Sequence, residues 1–89
     1  MNLPNLSSEI NNYIESNSGI SYYDLLAFAY DNDRTDWIDA LRYAHTKEAV
    51  SEYLRNKRQE DGYLLYDLEQ ARKKCSIAEV DFKRRHRAS

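Results

Sequence analysis

Residues 64–82 read LLYDLEQARKKCSIAEVDF, and this stretch decides the fold. Apolar or small side chains recur along it at intervals of 4, 3, 4, 3 and 4 residues, at Leu64, Leu68, Ala71, Cys75, Ala78 and Phe82. This heptad spacing predicts one long helix with a narrow apolar stripe, which we call the seam. The seam must be buried, either against the rest of the chain or against a second copy.

The same spacing extends backwards from the seam, with two polar residues in it, at Val50, Leu54, Lys57 and Asp61. Gly62 follows directly, and a glycine inside a helix costs about 1 kcal/mol relative to alanine. Two interpretations stay open for residues 46–87. One is a continuous helix of about 40 residues, about 60 Å long. The other is a helical hairpin broken at Gly62, which we favour because so long a rod is unusual in a small domain without a partner.

The first and fourth helical segments have local start signals. Pro4 suits the first turn of a helix over residues 5–16, and Ser7 or Ser8 are alternative caps for the same helix. Thr46 is a suitable cap for the segment that leads into the seam. These signals predict where the first and fourth helical segments begin.

The second helix has the clearest start signal in the chain. Ser21 is followed three residues later by Asp24, an acidic relative of the capping box, and the apolar pattern then predicts a helix over residues 22–31. A polar turn comes next, and we expect Asp33 or Thr35 to cap a third helix.

Large apolar residues of the second and third helices are predicted to form the heart of the N-terminal core: Leu25, Leu26, Trp37, Ile38 and Leu41. We therefore predict an all-α fold of four to five helices in a single domain over residues 1–89. In this fold, short N-terminal helices pack on a long C-terminal helix or helical hairpin.

The composition argues against several classes of protein. The 89 residues include only two Gly and one Pro, which argues against a loop-rich β architecture. The chain has no apolar run long enough for a transmembrane helix, and its N-terminus does not read as a signal peptide. Cys75 is the only cysteine, so no internal disulfide is possible. We accordingly expect a cytoplasmic protein that makes no contact with a membrane.

Charge is divided unevenly along the chain, although the net charge is only −2. Residues 1–45 hold two basic and seven acidic residues, whereas residues 46–89 hold eleven basic and eight acidic ones. We expect one half to fold back on the other so that part of this charge cancels. The asymmetry also suits head-to-tail self-association or two kinds of partner.

No combination of residues predicts catalysis, a metal site or a cofactor. Asp31-x-Asp33-x-Thr35 resembles the start of a calcium loop, but the glycine and glutamate that such a loop requires are missing. Cys75 and His45 are the residue types of a nucleophile and base, yet Cys75 lies in the seam and is better explained as a small buried residue. We predict that the protein is not an enzyme.

Eight tyrosines in so short a chain are more than a small core can bury, and exposed tyrosine is favoured at protein interfaces. The predicted partner-contact residues are Tyr22, Tyr23, Tyr63 and Tyr66, with Arg84 and Arg85 as the charged candidates. We predict a small protein-binding modulator, such as an inhibitor, an adaptor or a phage-type host-directed factor, that forms a homodimer by coiled-coil contact through the seam. The alternative is a nucleic-acid-associated regulator that uses the basic C-terminal helix.

Overall fold

The structure is a computed structural model that describes residue 3 and residues 6–17, 19–44, 46–60 and 68–87. The described residues form helices and connecting turns, with no strand among them, which confirms the prediction of an all-α fold. These residues include five α-helices and one π-helical turn, Ala40–Ala44, which follows the third helix directly. The α-helices are α1 Ser8–Ser16, α2 Tyr22–Asp31, α3 Thr35–Asp39, α4 Lys47–Glu60 and α5 Leu68–Arg85.

Side-chain caps start three of the helices, each at a residue that the sequence offers as a cap. The Ser7 hydroxyl accepts a hydrogen bond from the Ile10 amide at 3.2 Å, so α1 begins at Ser8, later than expected. Ser21 and Asp24 form the complete capping box of α2. The Thr46 hydroxyl accepts from the Ala49 amide at 3.2 Å and caps α4. Each cap satisfies an amide that the first turn of a helix leaves without a partner.

The expected cap of α3 is wrong. Arg34 occupies the N-cap position and makes no side-chain capping bond. Asp33 instead adopts a left-handed backbone conformation with φ of 53°, which aspartate tolerates better than most residues. Its carboxylate contacts Arg85, the last residue of α5, and His86, which follows that helix. A long-range contact therefore takes the side chain that local rules assign to the cap.

The helix α2 lies at the centre of the core. The five residues predicted for the N-terminal core, all on α2, α3 or the π-helical turn, are buried, which confirms that prediction: Leu25, Leu26, Trp37, Ile38 and Leu41. The rings of Tyr13, Phe28 and Trp37 pack against one another with centroids 4.5–5.5 Å apart. This aromatic cluster joins α1 to α2 and α3.

The most extensive helix pair in the fold is α2 with α5, and the two run in the same direction. Tyr23 contacts Arg72 near their N-terminal ends, and Tyr30 contacts Phe82 and Arg85 near their C-terminal ends. The inner side of α5 supplies small side chains to this contact. Ala71, Cys75 and Ala78 are buried there, and Phe82 is half-buried. Small residues let the helix backbones approach closely.

The C-terminal half is not one rod. The longest dimension of the protein is 45 Å, whereas a single helix over residues 47–85 would measure about 60 Å. A straight helix from residue 47 to residue 85 does not fit within that dimension, so the continuous-helix alternative is excluded. Gly62, the predicted break, lies outside the described residues. In the part of the chain that the structure describes, no helix has the length and apolar character needed to cross a bilayer.

The acidic first half does fold onto the basic second half, as expected. Ion pairs join Glu15 to Lys57 at 3.3 Å and Asp33 to Arg85 at 3.0 Å. The opposite arrangement also occurs, since Arg42 pairs with Glu79 at 2.9 Å. Part of the charge asymmetry is thus cancelled within the molecule.

Candidate interaction surface

Tyr22 and Tyr23 are adjacent, but the fold separates their roles. Tyr22 is only 5% exposed, and its hydroxyl donates a hydrogen bond to the Leu41 carbonyl oxygen at 3.2 Å. Burial raises the pKa of Tyr22 to about 12. Tyr22 therefore belongs to the core, although we expected it among the contact residues.

Tyr23 lies at the surface, with cations against its ring. The Lys47 ammonium is 4.9 Å from the ring centroid and the Arg72 guanidinium carbon is 5.7 Å from it. These residues line a groove of about 470 Å³ between the N-terminal ends of α2, α4 and α5, together with Arg55 and Leu68. Cations on an aromatic face are held by the quadrupole of the ring. Two of the predicted contact residues, Tyr63 and Tyr66, lie outside the described residues.

Arg85 is committed to the fold. Its Nη2 atom donates to the Tyr30 carbonyl oxygen at 2.6 Å and to Asp33 Oδ1 at 3.0 Å. His86 Nε2 lies 3.0 Å from the same Asp33 oxygen. Hydrogen bonds from His86 and Arg85 lower the pKa of the Asp33 carboxyl. Arg84, by contrast, is exposed and forms no ion pair with any described residue.

The predicted self-association seam is already covered. Ala71, Cys75 and Ala78 pack against α2 of the same chain, and Leu68 is 45% exposed beyond the end of that contact. Leu64 lies outside the described residues. A dimer through this seam would require α2 to separate from α5, because the narrow line of small side chains can pack against only one helix at a time. The spacing allows the seam to be buried by the same chain or by a second copy, and in the structure it is buried by α2 of the same chain.

A partly buried polar network holds α5 in place. Arg42 Nη1 donates to the Tyr30 hydroxyl oxygen at 2.6 Å and to Glu79 Oε2 at 2.9 Å, and the Tyr30 hydroxyl donates to the same carboxylate oxygen at 3.2 Å. Burial raises the pKa of Tyr30. The hydrogen bond to Tyr30 raises the pKa of Arg42, which therefore stays charged. The network ties the π-helical turn, α2 and α5 together.

The side of α5 that faces away from α2 carries a second stripe, which the sequence analysis missed. Its members are spaced by 4, 3 and 4 residues and are all exposed: Lys73, Ile77, Val80 and Arg84. We call this set the outer stripe. Ile77 is 63% exposed and Val80 is 48% exposed, which is unusual for large apolar side chains at neighbouring positions. The heptad spacing was a usable signal, but the basic residues at both ends concealed it.

Basic residues surround the outer stripe. Arg72, Lys73 and Lys74 are exposed and form no ion pair with another described residue. Arg72 and Lys73 also line a shallow depression with Glu69 and Ile77. Since Arg72 borders this depression as well as the groove beside Tyr23, one surface runs from Tyr23 to the outer stripe. Exposed acidic residues also border it, at Glu69 and Asp81.

The residues that sequence reasoning weighed for chemistry do not form a reactive site. The Cys75 thiol is buried, and burial raises its pKa to about 11, so it carries little thiolate at neutral pH. His45 lies outside the described residues. Within the described ranges, no three metal-binding side chains lie close together. Comparison of the chain with protein-family models, curated proteins and solved structures finds no match.

Proposed function

We propose that this protein is a small, non-enzymatic binding module that modulates another protein through the outer stripe. The observation that carries the proposal is the exposure of Ile77 and Val80 at the middle of the longest helix. The opposite side of that helix is already buried on α2. Neighbouring apolar side chains that the fold leaves in solvent, rimmed by polar residues, are typical of contact surfaces.

We propose no catalytic activity for this protein. Cys75 supports this part of the proposal, because its thiol is buried and its pKa is raised, whereas an activated nucleophile needs a lowered pKa. An inhibitor or an adaptor acts by binding alone and needs only the surface. A cytoplasmic setting is in keeping with the unpaired cysteine. Self-association through the seam is left out of the proposal, because α2 occupies the seam.

The second candidate function is binding to a nucleic acid through the same helix. The exposed cations Arg72, Lys73 and Arg84, which have no ion pair among the described residues, favour it. Phosphate contacts of this kind make affinity fall steeply with salt. The apolar pair at the centre of the surface and the carboxylates of Glu69 and Asp81 favour a protein partner instead, since they offer nothing to phosphates.

Capture experiments with the whole chain test the proposal. The tagged protein, an Ile77→Ser/Val80→Ser variant and a Tyr43→Ser control are each exposed to the same cell extract, and retained proteins are quantified by mass spectrometry. Tyr43 is the matched control because, at 74%, it is the most exposed large apolar residue outside α5 in the described part of the chain. We expect a protein that the unmodified chain and the control retain and that the double variant loses. Retention that nuclease treatment abolishes would support the nucleic-acid alternative instead.

A further inference from the structure

We infer that the outer stripe receives an amphipathic helix of another protein whose apolar centre is flanked by carboxylates at both ends. This inference rests on the proposed function and names the chemistry of the partner. The four residues that carry it are Lys73, Ile77, Val80 and Arg84.

The spacing of the stripe fits a helix as the occupant. Intervals of 4, 3 and 4 residues keep side chains along one line of a helix surface, and a second helix packs along such a line at a shallow crossing angle. From Lys73 to Arg84 the stripe is about 16 Å long. The partner helix would therefore need about three turns, with its apolar residues opposite Ile77 and Val80.

The charges at the two ends of the outer stripe indicate which residues of the partner should flank its apolar centre. Lys73 and Arg84 stand at the two ends of the stripe, both are exposed, and neither forms an ion pair with another described residue. Other cations of the second half do have carboxylate partners: Lys57 and Arg85 pair with carboxylates of the first half, and Lys83 pairs with Glu79 on α5 itself. A partner with Glu or Asp at both ends of its apolar patch supplies the two missing carboxylates. Rim charges of this kind act mainly on the rate of association and on the choice of partner.

A second copy of this chain does not fit the stripe. In an antiparallel pair of stripes, Lys73 of one copy lies opposite Arg84 of the other at both ends. In a parallel pair, Lys73 lies opposite Lys73 and Arg84 opposite Arg84. Either orientation brings like charges together around a small apolar centre, which opposes association.

The experiment uses the full chain and two synthetic helical peptides of about 21 residues, with capped termini. Both peptides carry leucine at the central a and d positions. One has Glu at the flanking positions and the other has Lys there. Binding is measured by fluorescence anisotropy at low and at physiological salt. We expect micromolar binding of the Glu peptide and binding of the Lys peptide that is weaker by about tenfold or more.

Charge-reversal variants make the result specific to the stripe. Lys73→Glu/Arg84→Glu should reverse the preference between the two peptides. Arg55→Glu/Lys74→Glu changes the net charge by the same amount at exposed positions that do not belong to the stripe, and it should keep the original preference. Circular dichroism and urea unfolding check that each variant is folded. Equal binding of both peptides, or the same loss of preference in both variants, would overturn the inference.

The remaining outcomes separate this inference from the proposed function. Binding of the Lys peptide but not the Glu peptide refutes the acidic partner and leaves a protein-binding role in place. Binding of a DNA duplex or of anionic vesicles with no binding of either peptide overturns both. A concentration-dependent dimer that Ile77→Ser abolishes would make a second copy the occupant and would also overturn the inference. Sedimentation velocity measures that outcome directly.

Discussion

Arg85 Nη2 donates a hydrogen bond to the Tyr30 carbonyl oxygen at 2.6 Å, and this bond joins the last turn of α5 to the last turn of α2. Carbonyl groups at the end of a helix have no partner within the helix, and a cationic donor suits them well. The same guanidinium donates to Asp33, which has a left-handed backbone and lies in the turn after α2. Arg85 therefore stabilises the parallel arrangement of the two helices.

Replacing Arg85 with Gln should lower the free energy of unfolding by about 1 kcal/mol, because the Tyr30 carbonyl loses a charged donor. Urea titration measures the change. The neighbouring Arg84→Gln is the control and should change stability by less than about 0.5 kcal/mol, as exposed surface substitutions do. Equal losses for both variants would mean that Arg85 has no special role in holding the helices together.

Leu26→Ala should cost about 2–5 kcal/mol, since it opens a cavity beside a residue that is 5% exposed at the centre of the core. Leu68→Ala, at 45% exposure, is the matched control and should cost less than about 1 kcal/mol. Chemical denaturation followed by tryptophan fluorescence reports both, because Trp37 is the only tryptophan. A cost below about 1 kcal/mol for Leu26→Ala would show that α2 is less buried than described.

Ala78→Leu should destabilise the monomer by about 1–3 kcal/mol, because the added carbons collide with α2 across the seam. The midpoint of unfolding should not depend on protein concentration in either the parent or the variant. If the seam instead joined two chains, stability would rise with concentration. Ile77→Leu, at an exposed position of the outer stripe, is the control. It keeps the side-chain volume and should leave stability unchanged.

Stability should fall in acid as Asp33 takes up a proton. Its pKa is lower in the folded protein than in the unfolded chain, owing to the hydrogen bonds from His86 and Arg85. Its contribution is therefore complete above the unfolded pKa and is lost as pH falls through the folded one. Urea unfolding between about pH 3 and pH 7 should show this loss for the parent and a flatter acid limb for Asp33→Asn. Asp31→Asn, at a nearby exposed position, should keep the shape of the parent curve.

Cys75 should react with a thiol reagent only when α5 separates from α2. The raised pKa and the burial of the thiol both disfavour the reactive thiolate in the folded protein. We expect labelling to be slow in buffer and fast in urea, with a midpoint that matches the unfolding transition. Fast labelling in buffer would show that the seam opens without global unfolding.

The positions of the helices could largely be predicted because the signals are local. Ser21 and Asp24 are three residues apart and form their capping box without help from the rest of the fold. The cap of α3 could not be predicted in the same way. Asp33 has a partner more than fifty residues away, and that contact takes precedence over the nearby amides.

The candidate site was predicted less well than the fold. Arg84 is exposed and Tyr23 is half-buried, whereas Tyr22 is buried in the core and Arg85 makes its contacts within the molecule. Residue type alone does not distinguish a tyrosine or an arginine that serves packing from one that serves a partner. The outer stripe became visible only once one side of α5 was known to be occupied.

The sequence by itself determined that this protein is helical, where α2 and α4 begin, and that residues 64–82 carry a heptad stripe. Those features depend on spacing and on neighbours within one turn of a helix. Only the tertiary structure decided that α2 covers the stripe and that Ile77 and Val80 stay outside. A heptad pattern specifies only a line of apolar side chains, which a helix of the same chain or of another chain can cover equally well. The parallel packing of α2 on α5 decides between them, because α2 then occupies that line.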